Sequence, residues 1–207
     1  MLLVNGCSHM AGSESTTSVA ELFAKHLDTE HINLSHPGGS NKRILRTTIE
    51  HIEEHSKPDF VLIGWSTHER FEFSFDGERQ DYTLDKQSDN ANLQKFYRYA
   101  DLHLADFSNG VHETILCQYL LQIYLENNNI DYMYCNMFNS INDNNQSPLW
   151  KQINKDKYYL HNTSLIEDAM NEYTEGWSDT KHAVDPVIHK SMCAKLVEHY
   201  TRSNNVR

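Results

Sequence analysis

Serine, histidine and aspartate occur in this chain at places where a nucleophile, a base and an orienting acid would be wanted. Gly6-Cys7-Ser8-His9 follows the apolar run Leu2-Leu3-Val4. A serine just past a buried strand, close behind a glycine, is a common place for a nucleophile and equally for an ordinary turn. Near the other end of the chain, Ser178-Asp179-Thr180-Lys181-His182 presents an aspartate and a histidine separated by two residues. One loop can then offer a carboxylate and an imidazole together. The carboxylate fixes the ring's tautomer, and the imidazole takes a proton from a serine hydroxyl, which is a weak nucleophile unaided. Taken singly, these residues say little. The chain has 13 histidines, Ser8 alone reads as a turn or cap residue, and His182 alone as a surface histidine. Cys7 is intrinsically the better nucleophile, but strand alternation turns its side chain away from that of Ser8 and into the core. His9 is either a substrate contact or a residue flanking the turn.

Other segments offer weaker chemistry. In Gly64 to Phe73, Trp65, Phe71 and Phe73, with Phe75 just beyond, have the composition of an acyl- or sugar-pocket wall. Anchoring the neighbouring segment to the sheet is the favoured reading of these rings. Arg70 either holds an anionic substrate group through its planar fork or pairs with Glu69 or another carboxylate. No G-K-[ST] ending of a phosphate loop and no G-x-G-x-x-G is present. His51 and His55 lie one helical turn apart, but no convincing third ligand accompanies them, so they read as a surface pair and no metal is expected. The four cysteines are scattered and form no C-x-x-C pair, which suits free thiols in a reducing compartment.

Residues of these types need elements to position them, and the chain supplies a regular series. Met1 to Gly6 reads as a buried strand, and Ser18-Val19-Ala20-Glu21 as a capping box opening a helix. His31 to Ser35 is a weaker strand, followed by a helix capped by Ser40 that carries Ile44, Leu45, Ile49 and Ile52 on one side. Asp59 to Ser66 is the clearest buried strand. Val111 to Asn129 reads as a strong helix, Ile130 to Asn136 as a strand, and Asp185-Pro186 as the start of a last helix. Strand alternating with helix predicts an α/β fold with a mostly parallel sheet covered on both faces, a three-layer α/β/α arrangement. Ligands in such sheets sit beyond the carboxyl ends of the strands. Ser8, Gly38-Gly39 and Gly64 to Thr67 all fall on that rim.

At 207 residues the chain is expected to form a single domain over 1–207, with insertions at about 68–110 and 137–178. Asp76-Gly77, flanked by alternating residues, predicts a hairpin in the first insertion. The net charge of −11 argues against nucleic acid as a partner, since phosphate backbones call for a basic footprint. The one dense basic stretch, Asn41 to Arg46, reads as the solvated side of a helix. The first residues lack the basic start and long apolar run of a signal peptide, and no stretch approaches the roughly 20 apolar residues of a membrane span. The expectation is a cytoplasmic protein without membrane association.

The order of these blocks resembles the SGNH (GDSL-type) hydrolase superfamily. Gly6-Cys7-Ser8 closes strand one, a glycine loop follows strand two, Gly64-x-Ser66 follows strand three, and Asp179-x-x-His182 precedes the closing helix. The resemblance implies a flavodoxin-like sheet and a serine esterase. Ser8 would be the nucleophile, His182 the general base and acid, and Asp179 the residue orienting His182. The oxyanion hole would comprise the Ser8 N–H, a glycine N–H from Gly38 (Gly39 in the alternative register), and Ser66. Ser66, with Thr67 beside it, stands where the family carries an asparagine, and Cys7 where it carries an aspartate. Asn41, reaching from the neighbouring loop, is an alternative donor. His9, Gly39, Asn41, Trp65, Thr67 and Arg70 are candidate substrate contacts. Such chemistry requires no metal or organic cofactor. The implied substrate is a small-molecule or carbohydrate ester, an O-acetylated sugar by family habit. A non-catalytic binding or assembly protein on the same scaffold and an acyltransferase are the alternatives.

Overall fold

The computed structural model describes residues 1–105, 107–141, 147–159, 161–179 and 182–205. In chain order the strands are Leu2–Asn5 (β1), His31–Asn33 (β2), Phe60–Trp65 (β3), Phe71–Phe75 (β4), Glu78–Tyr82 (β5), Asp131–Asn136 (β6) and Tyr158–Tyr159 (β7). The α-helices are Ser8–Ala11 (α1), Val19–His26 (α2), Asn41–Glu54 (α3), Ala91–His103 (α4), Phe107–Asn127 (α5), Leu165–Glu172 (α6) and Pro186–Asn205 (α7). Five strands form one parallel sheet in the order β2-β1-β3-β6-β7. The chain starts near the middle, winds outward to β2, then returns past β1 to β3. The connections therefore diverge between β1 and β3, and a crevice opens at the carboxyl ends of those two strands.

Alternation along each strand divides the apolar residues between two helical layers. Leu2, Val4, Leu62, Met133 and Cys135 face α2, α6 and α7, while Leu3, Val61, Ile63, Tyr132 and Tyr134 face α3 and α5. The expected three-layer α/β/α architecture is thus present. Local signals start the helices. Ser18 and Glu21 make the reciprocal capping box at α2, Ser40 Oγ accepts from the Arg43 N–H at 3.2 Å to start α3, and Asp185 Oδ1 accepts from the Val187 N–H at 2.8 Å at α7. All four cysteines are buried and free. Among the described residues, no helix is long and apolar enough to cross a membrane, and no group of three or more His, Cys, Asp or Glu side chains is arranged to hold a metal.

Residues 71–103 fold on themselves. β4 and β5 pair antiparallel across Asp76 and Gly77, whose φ angles of 50° and 82° are those of the tight hairpin turn that an Asp-Gly pair favours. Phe71, Phe73, Tyr82, Phe96 and Tyr97 then pack as a separate small cluster with α4. The basic stretch at the start of α3 differs from its expected solvated role. The Arg46 guanidinium forks onto Glu72 at 2.5 and 3.1 Å, and Arg43 reaches Asp81 at 3.3 Å. Only 7% and 11% of the two carboxylate side chains are exposed. Carboxylates that close to the sheet rim draw the neighbouring arginines inward, and the pairs tie the hairpin to α3.

Gly110, in the first turn of α5, lies directly against the backbone that follows β3. A Cβ placed on it would lie 2.0 Å from the His68 carbonyl oxygen and 2.7 Å from its carbon. Helix propensity alone favours alanine there by about 1 kcal/mol, whereas overpacking costs about 1–3 kcal/mol. Backbone this close cannot yield as a flexible side chain would, so Gly110→Ala is expected to lose about 2 kcal/mol net. A lower urea midpoint at unchanged slope would show it; a raised midpoint would mean that the two segments part freely.

Candidate active site

β1 ends at Asn5, and that residue fixes how the chain leaves the sheet. Its side-chain amide donates to the Ile44 carbonyl (3.1 Å) and to the Thr47 and Thr48 hydroxyls (2.8 and 2.9 Å), while its oxygen accepts the Gly6 N–H (2.8 Å). This buried clamp to α3 was not foreseen from sequence, although a polar residue closing an apolar strand is the kind of signal that announces one. Gly6 and Gly64 then let α1 lie against β3. A Cβ at Gly64 would come within 2.5 Å of Met10 Cγ, and one at Gly6 within 2.6 Å.

Ser8 is the first residue of α1, 4% exposed. Its N–H therefore has no partner four residues back within the helix and is one of the open donors that every helix start presents. Cys7, just before it, is fully buried in the α2/α7 core, and burial pushes its thiol up, away from the reactive thiolate. His9 is 2% exposed. Burial first, then the nearby His182, His189 and Arg70, push its pKa down to about 3. His9 is therefore a neutral ring at ordinary pH.

A continuous series of contacts crosses the crevice. The His9 ring stacks on His182 with centroids 4.8 Å apart and meets Phe138 edge-on at 5.0 Å. The Arg70 guanidinium lies over Phe138 at 5.1 Å and donates to Ser66 Oγ at 2.8 Å. The structure thus brings His182, from the loop before α7, onto the ring next to Ser8, and brings Ser66 and Arg70 to the same place from the end of β3. Among the described residues, no hydrogen bond joins the Ser8 hydroxyl to His182. Such bonds are often long in the absence of substrate.

The His182 loop is held by its own backbone. The Ser178 N–H donates to the His182 carbonyl (2.8 Å), and the His182 N–H donates to Ser178 Oγ (3.1 Å). His189, 1% exposed, braces the next turn through Nε2 to the Ala183 carbonyl at 3.0 Å. Nothing in the sequence singled it out, since it lies beside the apolar stripe of α7 and reads as a boundary residue. The carboxylate that meets His182 Nδ1, at 3.3 Å, belongs to Glu14. Asp179 is exposed, and among the described residues it makes no hydrogen bond or ion pair with His182. The two intervening residues, Thr180 and Lys181, lie outside the described residues.

The remaining candidates divide. Gly39 is buried, and its N–H is taken by the His36 carbonyl at 2.9 Å; Gly38 carries a positive φ of 76° beside it. Asn41 is engaged in holding the β3 exit. Its oxygen accepts the Ser66 N–H (2.7 Å), and its amide donates to the Ser66 carbonyl (3.2 Å) and the Thr114 hydroxyl (2.8 Å). An amide bonded on both ends inside the protein has no donor to turn toward a ligand, so Asn41 positions Ser66. Trp65 also departs from the expected substrate contact. Alternation on β3 sends its ring to the α3/α5 side, 1% exposed and edge-on to Tyr134. The Thr67 hydroxyl donates to Glu69. Arg70, with Lys42, His68, Phe71 and Glu113, also lines a cavity of about 500 Å³.

Several solved structures share this architecture. An esterase from Pseudoalteromonas sp., in a structure inhibited by monoethylphosphonate, superposes with a TM-score of 0.56 at 14% identity over 99% of this chain and 98% of that one. A GDSL-like lipase candidate from Parabacteroides merdae ATCC 43184 gives 0.52 at 13% identity, covering 96% and 94%. An acetyl xylan esterase from the rumen bacterium Butyrivibrio proteoclasticus gives 0.51 at 11% identity, covering 99% of this chain and 64% of that one. At these identities the likeness establishes the fold, a divergent SGNH-like one. No curated protein matches the sequence. Residues 6–148 match the profile of a family of unknown function, DUF6071. The matched span includes Ser8, Gly38 and Ser66 and stops before His182.

Proposed function

The chain belongs to that family of unknown function, DUF6071, and from that starting point we propose that it is a serine-dependent ester hydrolase. The observation that carries this reading is the arrival of His182 on the ring beside Ser8, with a carboxylate behind its far nitrogen. A proton held on Nδ1 by a carboxylate leaves the lone pair on Nε2, which makes that atom the base. In the proposed reaction Ser8 Oγ attacks the ester carbonyl as its proton passes to His182 Nε2. The oxyanion forms opposite the Ser8 N–H, the Gly38 N–H and the Ser66 hydroxyl. His182 then protonates the departing alcohol, an acyl-Ser8 forms, and water activated by the same ring releases the acid. The hydrolase neighbours by fold agree with this class.

The cavity beside Arg70 is lined mainly by charged and polar side chains. It suits a small or carbohydrate ester better than a long acyl chain, and Arg70 offers a planar fork to an anionic or hydroxylated substrate.

Labelling with a fluorescent fluorophosphonate, mapped by mass spectrometry, tests the reading. Modification at Ser8, lost in Ser8→Ala and suppressed in His182→Ala, is the expected result. Folded wild-type protein that takes up no label would sink the hydrolase reading and favour a binding protein on the same scaffold. Added alcohol acceptors raising ester product above hydrolysis would instead point to acyl transfer.

A further inference from the structure

We infer that Glu14, rather than Asp179, is the carboxylate that positions His182; as a statement about catalysis this rests on the hydrolase reading, whereas the pairing itself does not. Glu14 Oε1 lies 3.3 Å from His182 Nδ1, with 18% of the histidine and 44% of the glutamate side chain exposed. Asp179 is exposed, and among the described residues it makes no hydrogen bond or ion pair with the His182 ring.

The loop that carries Glu14 is built to bring it back over α1. Gly12 closes the helix at φ 76°, the Ser13 N–H donates to the Ser8 carbonyl at 3.0 Å, and the Ser15 N–H donates to the Gly12 carbonyl at 3.2 Å. Between those two bonds Glu14 takes φ 63°. A side chain with a Cβ pays a steric penalty in that left-handed region, so an unbranched acid kept there needs a reason outside its own backbone. The contact with His182 Nδ1 is such a reason. Its consequence is economical in geometry: Ser8 and Glu14 lie only six positions apart, on α1 and the turn that leaves it, so a single short segment sets both sides of the imidazole. Stacking on His9 holds the ring plane, and Glu14 selects the tautomer with the proton on Nδ1. Glu14 acts through His182 and does not touch the reacting atoms, so it is a positioning residue.

The test uses full-length protein carrying ¹⁵N-labelled histidine, with 4-nitrophenyl acetate as the kinetic probe. Glu14→Gln is expected to lower kcat by roughly 10- to 100-fold with KM little changed, less than the roughly 10⁴-fold of a fully buried aspartate–histidine pair because Glu14 is partly solvated. The same substitution is expected to shift the His182 nitrogens away from the Nδ1–H tautomer. Glu14→Gly relieves the left-handed backbone, so it should lose rate as Glu14→Gln does without a lower melting temperature. Asp179→Asn producing the rate loss and the tautomer shift, with Glu14→Gln producing neither, would overturn the inference and return the role to Asp179. A wild type without esterase activity whose His182 tautomer still changes in Glu14→Gln would leave the pairing standing and remove the hydrolase reading alone.

Discussion

Replacing Ser66 by alanine is expected to lower kcat for a small aryl ester by roughly 10²–10³-fold with KM nearly unchanged, a loss of about 2.7–4 kcal/mol of transition-state stabilisation. The argument begins with the position. Ser66 leaves β3 at the crevice where the SGNH hydrolases carry an asparagine side chain as an oxyanion donor. A serine has a single proton to donate, so its direction matters more than an amide's would. Arg70 sets that direction: its guanidinium donates to Ser66 Oγ at 2.8 Å and so occupies an acceptor lone pair. Among the described residues no acceptor takes the Ser66 proton, which leaves it for a ligand. The backbone is fixed as well, since Asn41 holds both the Ser66 N–H and its carbonyl. A donor oriented before the reaction and polarised by a cation needs little rearrangement when negative charge develops. Arg70→Met should therefore lose less, about tenfold, because the hydroxyl remains while its orientation is freed. Steady-state kinetics on protein with an unchanged melting temperature decides the matter. A Ser66→Ala enzyme of wild-type kcat would remove Ser66 from the oxyanion site.

The same pair shows what the sequence could and could not convey. The position of Ser66 was legible because it follows the most continuous apolar run in the chain, where strand and sheet rim meet. Arg70 was legible only as a choice between a substrate group and a carboxylate partner, and among the described residues the structure pairs it with a serine hydroxyl and an aromatic face rather than a carboxylate. Trp65, aromatic and near the rim, reads as either a pocket wall or an anchor to the sheet, with the anchor favoured; strand alternation sends it into the α3/α5 layer. Elements with strong periodicity or explicit caps, such as β3, α2 and α7, could be read directly. The two-residue strand β7 could not, because its Tyr158 and Tyr159 pair only through register with β6. Nor could α4, whose apolar residues serve a small local cluster rather than the sheet. Glu14 left no pattern at all, since its significance arises from a contact made across 168 positions by a loop with unusual backbone angles.

Acidification from pH 6.5 to 5 should cost about 1.5 kcal/mol of stability through His9 alone. The folded ring accepts a proton only near pH 3, whereas the unfolded ring takes one at about 6.5. Between those values unfolding takes up a proton, so stability is full above the unfolded value and falls as pH falls through the window. Above pH 5 the carboxylates whose pKa values the fold lowers, such as Glu72, do not yet titrate, so the slope there reports histidines. His68 and His189 are lowered by burial too and act in the same direction. His9→Gln keeps a polar side chain without the titration, and its urea midpoint should vary less steeply with pH by one proton's worth. An unchanged slope would mean that His9 is protonated in the folded protein. The proposed mechanism depends on that difference. In it His182 gains a positive charge as it takes the Ser8 proton, and its stacking partner lies 4.8 Å away. A charged His9 would oppose that step, whereas a ring kept neutral by burial supplies a flat surface without repulsion.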